Sequence, residues 1–191
     1  MHSTLRAGLS LAAGLLLTTA PSAAAQGARR FTLTSSDIAP GRMIPLRHVG
    51  SSYGCTGQNV SPALQWSGAP AGTKSFAVTA YDPDAPTGSG FWHWVVFNIP
   101  SSTTALAAGA GDPKGAALPA GAMQGNTDIS QPGYLGPCPG AGDKPHRYIF
   151  TVFALKTEKI EVPANATAAL VGFYLHGNLL QKATLTARYG R

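Results

Sequence analysis

Two aspartates, two histidines and a tyrosine are spaced along this chain so that a sheet can gather them. Asp82 and Asp84 fall in the turn-rich stretch YDPDAPTGSG (81–90). His93 opens an apolar run from Trp92 to Ile99, and His146 and Tyr148 open a second, HRYIFTVFAL (146–155). A turn needs proline and glycine to fix or free its backbone angles; it does not need two carboxylates beside a histidine and two tryptophans. With the two strand ends side by side, Asp82, His93, His146 and Tyr148 meet at one rim. Such a set suits a small anion: imidazole N–H and phenol O–H groups donate, imidazoles can carry charge near neutral pH, and Asp82 orients an imidazole or raises its proton affinity. Gly136 lets backbone approach closely and Pro137 stiffens the wall. For Asp84, capping backbone N–H groups within the turn is an equal alternative.

Other chemistries find less support in the same residues. Two histidines and an aspartate are the ligand types of a facial iron site, yet no HxH or HExxH spacing accompanies them. A serine hydrolase would need an activated nucleophile; no GxSxG elbow is present, and Ser89 lies in a GSG loop. We therefore expect neither metal, cofactor nor catalysis. Basic residues are spread singly, with no basic helix or aromatic-basic repeat to favour nucleic acid.

The elements that must position these residues read mainly as strands. Phe31 to Leu33 reads as an edge strand and Ala63 to Trp66 as a short one. Ser75 to Tyr81 places Phe76, Val78 and Ala80 on one face; Trp92 to Ile99 places His93, Val95 and Phe97 on one face and Trp92, Trp94 and Val96 on the other. His146, Tyr148, Phe150 and Val152 share a face of the third long strand. Ser101 to Gly125 reads as a long irregular connection. A helix is expected from about Thr167 to Ala183, with Val171, Leu175 and Leu179 at helical spacing, and a last strand from Thr184 to Tyr189. Trp66 and Trp94 are expected in the core, and His48 and His176 exposed or structural. Several strands followed by one late helix argue for an antiparallel β domain.

Residues 1–25 read as a secretory signal: Arg6, an apolar core from Leu9 to Leu17, and small residues Ala23 to Ala25 for cleavage, giving a single mature domain over 26–191. No stretch is long enough to span a bilayer comfortably. The net charge of +6 falls to +5 once Arg6 is removed, and 12% charged against 44% apolar residues suits one globular core. Export allows disulfides to persist, so Cys55 and Cys138 are expected to pair rather than stay as two thiols. Asn165-Ala166-Thr167 fits a glycosylation acceptor, a triplet common by chance.

Four ordered blocks, DPDAP (82–86), His93-Trp94, GPCPG (136–140) and HRY (146–148), together with CTGQNVSPALQW (55–66) and Val171 to Arg191, resemble the phosphatidylethanolamine-binding protein family in its bacterial Raf kinase inhibitor-like branch. The likeness covers nearly the whole chain from Phe31 onward. It implies an antiparallel β-sandwich with Greek-key connections and a peripheral helix, and a small pocket for phosphate, phosphoethanolamine or related head groups. By motif match the pocket residues are Asp82, Asp84, His93, Gly136, Pro137, His146 and Tyr148, with Phe91 or Trp92 at its wall. Some members of the family inhibit proteases or kinases by contact, so an interaction module is the alternative expectation. Two stretches depart from the branch's pattern: Leu175 to Asn178, and Gln124 to Gln131, which lacks a clean Asp-aromatic-Gly turn.

Overall fold

A computed structural model describes residues 1–2, 30–163 and 165–191. The stretch read as an export signal lies, beyond its first two residues, outside the described residues. Among the described residues, eight strands form two antiparallel sheets. β1 (Thr32–Thr34), β2 (Leu64–Ser67) and β5 (Ala105–Leu106) make a small sheet in the order β1-β2-β5; β3 (Ser75–Asp82), β4 (Phe91–Pro100), β6 (Met123–Gln124), β7 (His146–Leu155) and β8 (Leu179–Tyr189) make a large one in the order β6-β4-β3-β7-β8. β1 is an edge strand, and β3, buried on both faces, is central.

The main core lies between the sheets. Leu33, Leu64, Trp66 and Leu106 of the small sheet meet Phe76, Val78, Trp94, Phe150, Val152 and Leu185 of the large one. On the large sheet's other face, Ala77, Val95, Phe97, Phe153 and Leu155 are covered by Ile160 and by Val171 and Leu175 of the helix α1 (Ala168–Gly177). Thr167 caps that helix by accepting a bond from the Leu170 N–H, the role a threonine hydroxyl favours at a helix start. His48 is buried, its Nδ1–H donating to the Val60 carbonyl at 2.7 Å.

The structure corrects three expectations. The helix stops at Gly177 instead of continuing to Ala183, because Leu179 onward pairs with β7 along its whole length and Ala183, Leu185 and Ala187 alternate into the core. The connection after Ser101 contains β5 and β6, whose two-residue length is below what an alternating pattern can signal. In β4 the strict alternation breaks twice. Ala80 pairs Trp94 while Tyr81 pairs Trp92, so His93 is an extra residue, and a second shift lies between Val96 and Ile99, where Asn98 has φ +57°. Bulges of this kind re-aim side chains. His93 therefore leaves the face of Val95 and Phe97, which pack under the helix, and joins Tyr148 on the inner side.

Candidate functional site

Beside the bulge, β4 has no regular neighbour. β6 pairs only at Val96 and Phe97, and the segment after it supplies the missing bonds: the Asp128 carboxylate accepts from the Trp92 N–H at 2.8 Å, and the Leu135 N–H donates to the His93 carbonyl at 2.8 Å. His93 is bound to Leu135 a second time, since its ring Nδ1 lies 2.7 Å from the Leu135 carbonyl. A carbonyl only accepts, so Nδ1 carries the hydrogen. The ring sits between Phe91, centroids 4.9 Å apart, and Tyr148, 5.2 Å apart and edge-on.

The DPD turn is tied to the start of β7 in two places. Asp82 accepts the His146 Nδ1–H at 2.7 Å with one oxygen and the Asp84 N–H at 2.8 Å with the other. Asp84 faces outward and holds Arg147 through its backbone N–H at 2.8 Å and through a fork from Nε and Nη2 at 2.9 and 2.7 Å. Two aspartates two residues apart thus fasten a histidine and its neighbouring arginine, which fixes the strand ends side by side.

The third wall comes from 134–140. Gly136 donates its N–H to Asn59 Oδ1 at 2.7 Å, and Asn59 Nδ2 donates to the Tyr134 carbonyl at 3.1 Å. Gly136 passes so close to the 48–50 backbone that a Cβ there would lie 2.5 Å from both Gly50 N and the His48 carbonyl oxygen. Gly50 in turn donates to the Pro137 carbonyl at 3.0 Å. Cys55 and Cys138 form a disulfide joining the two loops.

Between these walls is a hollow of about 360 Å³, within the range of small-ligand sites. Asp82, His93, His146, Tyr148 and Gly136 line it; Asp84 and Pro137 do not. Asp84 belongs instead to a shallower recess beyond His146, shared with Lys144, Arg147 and Arg188. Asp82, His93, His146 and Tyr148 are 1–6% exposed, a buried polar floor under apolar walls that include Phe91, Ile129 and Leu135. Phe91 is thus at the wall and Trp92 is not.

Burial pushes the His93 ring below its ordinary value despite the bond to Leu135 and the Asp82 charge, so the ring is neutral. Its Nδ1–H is already committed, and Nε2 has no partner among the described residues and is open to the hollow. The expectation that His93 donates to a ligand is therefore corrected: it presents an acceptor. His146 likewise commits Nδ1–H to Asp82 and leaves Nε2, 4.0 Å from Asp143. Burial, with the Asp82 carboxylate adding to it, pushes the Tyr148 phenol up, so its O–H stays a donor. The Arg147 fork holds Asp84 down to about 2.

Sequence reasoning missed Asn59, Leu135, Asp143 and Tyr53 at this site. Asn59 stands in the block 55–66 and has φ +55°, a conformation asparagine tolerates better than most residues. Its polar side chain beside an apolar run was the available signal. Nothing in the sequence marks Leu135, which acts through its backbone.

The chain resembles the Escherichia coli protein YbcL, 54% identical over 85% of this chain and 88% of that protein, and the E. coli protein YbhB, 50% identical over 82% and 98%. LppC of Mycobacterium tuberculosis, named as a lipoprotein, is 36% identical over 75% of this chain and 64% of its own length. The crystal structure of E. coli YbcL, described as a new member of the mammalian PEBP family, superposes with a TM-score of 0.83 at 53% identity, covering 84% of this chain and 98% of that one. Residues 34–190 match the family described as phosphatidylethanolamine-binding protein. With that match across most of its length and relatives at half identity, this chain belongs to the phosphatidylethanolamine-binding protein family.

Proposed function

We propose that this is an exported binding protein, not an enzyme, whose hollow holds phosphate, phosphoethanolamine or a related anionic head group. One observation carries the reading: four buried polar side chains from β3, β4 and β7 converge on a single cavity that no structural need of the sheet explains. The Tyr148 O–H donates to the anion, His146 donates through Nε2 when its ring is protonated, and Asp82 orients that ring. Lys144 and Arg188 stand at the neighbouring recess and add attraction at the rim. Apolar walls exceeding the polar floor leave room for carbons next to the charged group.

Export is supported by the signal-like residues 1–25, by the disulfide, which oxidising compartments preserve, and by a relative named as a lipoprotein. The mature domain in this reading runs from Gln26 to Arg191.

The test is calorimetry on protein recovered from the exported fraction, whose N-terminus is expected near Gln26. Phosphate and phosphoethanolamine should bind weakly, as small ligands with few atoms do. His146→Ala should weaken both by about tenfold, the worth of one hydrogen bond to a charged group. Absence of heat with both ligands in the wild type would refute the reading. A second reading, a protease- or kinase-inhibiting contact module, is favoured by Tyr53, 69% exposed on the loop that forms the rim. Inhibition of a protease panel, lost in Tyr53→Ala with phosphate binding absent throughout, would select it.

A further inference from the structure

At the buried floor of this hollow, acceptors outnumber donors. Both Asp82 oxygens already receive bonds, from His146 and from Asp84 N–H, and the carboxylate is 2% exposed at the floor. His93 offers a bare Nε2 from a ring whose other nitrogen is held by Leu135. Asp143 adds a second carboxylate at the wall, 4.0 Å from His146 Nε2. Against these, at the buried floor, stand the Tyr148 O–H and a His146 nitrogen that donates only when protonated; the Ser52 and Tyr53 hydroxyls lie at the exposed rim, and the Thr87 hydroxyl is bound to Gly90.

A fully deprotonated tetrahedral anion brings acceptors alone. Placed here, it would face the Asp82 charge and the His93 lone pair with nothing to offer them, and an unmatched buried polar contact costs more than a made one gains. An anion that carries its own donor meets the same groups as partners. Resting on the anion-pocket reading above, we infer that the hollow selects anions bearing a hydrogen-bond donor, a P–OH or an adjacent ammonium, and rejects donorless anions of the same shape, with Asp82 and His93 as the residues that discriminate.

Inorganic phosphate and sulfate make the comparison, because at neutral pH the first keeps a proton and the second has none. Phosphoethanolamine serves as the arm whose donor is an ammonium. In calorimetry on the disulfide-intact protein, phosphate should bind more tightly than sulfate by about tenfold or more, the expected worth of one charge-assisted hydrogen bond and its lost counterpart. Asp82→Asn and His93→Gln, each of which supplies an amide that can donate or accept, should shrink that ratio severalfold, chiefly by strengthening sulfate. Thermal midpoints near wild type show that each variant still folds, and His93→Gln, which leaves the Asp82–His146 contact in place, guards against a rearranged His146.

Sulfate binding as tightly as phosphate in the wild type would overturn the inference and leave the anion-pocket reading standing. So would an undiminished phosphate preference in two folded variants. If phosphate, sulfate and phosphoethanolamine all fail to bind, the underlying reading falls, and the inference with it. Phosphoethanolamine binding alone would assign the donor to the ammonium; phosphate and phosphoethanolamine binding alike would assign it to either source.

Discussion

His93 shows how a single side chain's role follows from what its backbone does. The ring is neutral because burial outweighs the bond from its Nδ1–H to Leu135, which by itself favours the charged form. Asp82 and Asp128 favour its charge, His146 opposes it, and burial outweighs them. The consequence for stability has a definite sign. The folded ring takes up its proton at a lower pH than the unfolded ring at 6.5, so the unfolded chain binds more protons between those values. The contribution of the neutral ring is therefore complete above 6.5 and is lost as pH falls through the lower folded value. Urea midpoints measured against pH should fall along that limb in the wild type, and the fall should be shallower in His93→Gln. Nitrogen chemical shifts of the folded protein should show Nδ1 protonated at neutral pH; an Nε2–H tautomer would contradict the assigned geometry. Asp84 illustrates the opposite case, a carboxylate chosen from sequence as a pocket group that the structure spends on Arg147.

Glycines separate the elements that enclose the hollow from those that merely support the sheet. Gly136 cannot accept a Cβ without moving the backbone of 48–50, whereas Gly172, in the middle of α1, has nothing within 4 Å. Gly136→Ala should destabilise by about 1–3 kcal/mol, the usual cost of overpacking. Gly172→Ala should stabilise by about 0.5–1 kcal/mol, because it removes backbone freedom from the unfolded helix at no steric cost. Urea denaturation of the two variants reads both signs. The long strands were legible in the sequence because β3, β4 and β7 carry runs of β-branched and aromatic residues long enough to show a face. The bulge at His93 was not, since nothing local distinguishes one extra residue from continued alternation; only the register with Ala80 and Tyr81 reveals it. The same limit hid the end of α1: Leu179 keeps helical spacing with Leu175, and pairing with Leu155 on β7 overrides it. Of the site, the residues in recognisable blocks could be named beforehand, and those acting through main-chain bonds, such as Leu135, could not.

Across the whole molecule, the loops 50–55 and 136–140 are tied twice more beyond the Gly50–Pro137 main-chain bond. The disulfide closes a separation of 83 residues, and the Arg191 guanidinium donates to Gly54 and Pro139 carbonyls, each at 2.8 Å. Replacing both cysteines by serine should lower stability by about 2–5 kcal/mol, mostly through a freer unfolded chain. Phosphate affinity should fall less than stability, because Arg191 still spans the gap, and should be lost when Arg191→Ala is added. Equal affinity in the triple variant and the wild type would show that neither tie shapes the hollow. The walls themselves come from stretches scattered between residues 50 and 148. No short fragment of the chain holds all of them, and they meet only once β3, β4 and β7 have paired and the loops 50–55 and 136–140 have closed over the sheet. In the binding-protein reading, a ligand therefore meets its site only on the folded domain and not on the nascent polypeptide.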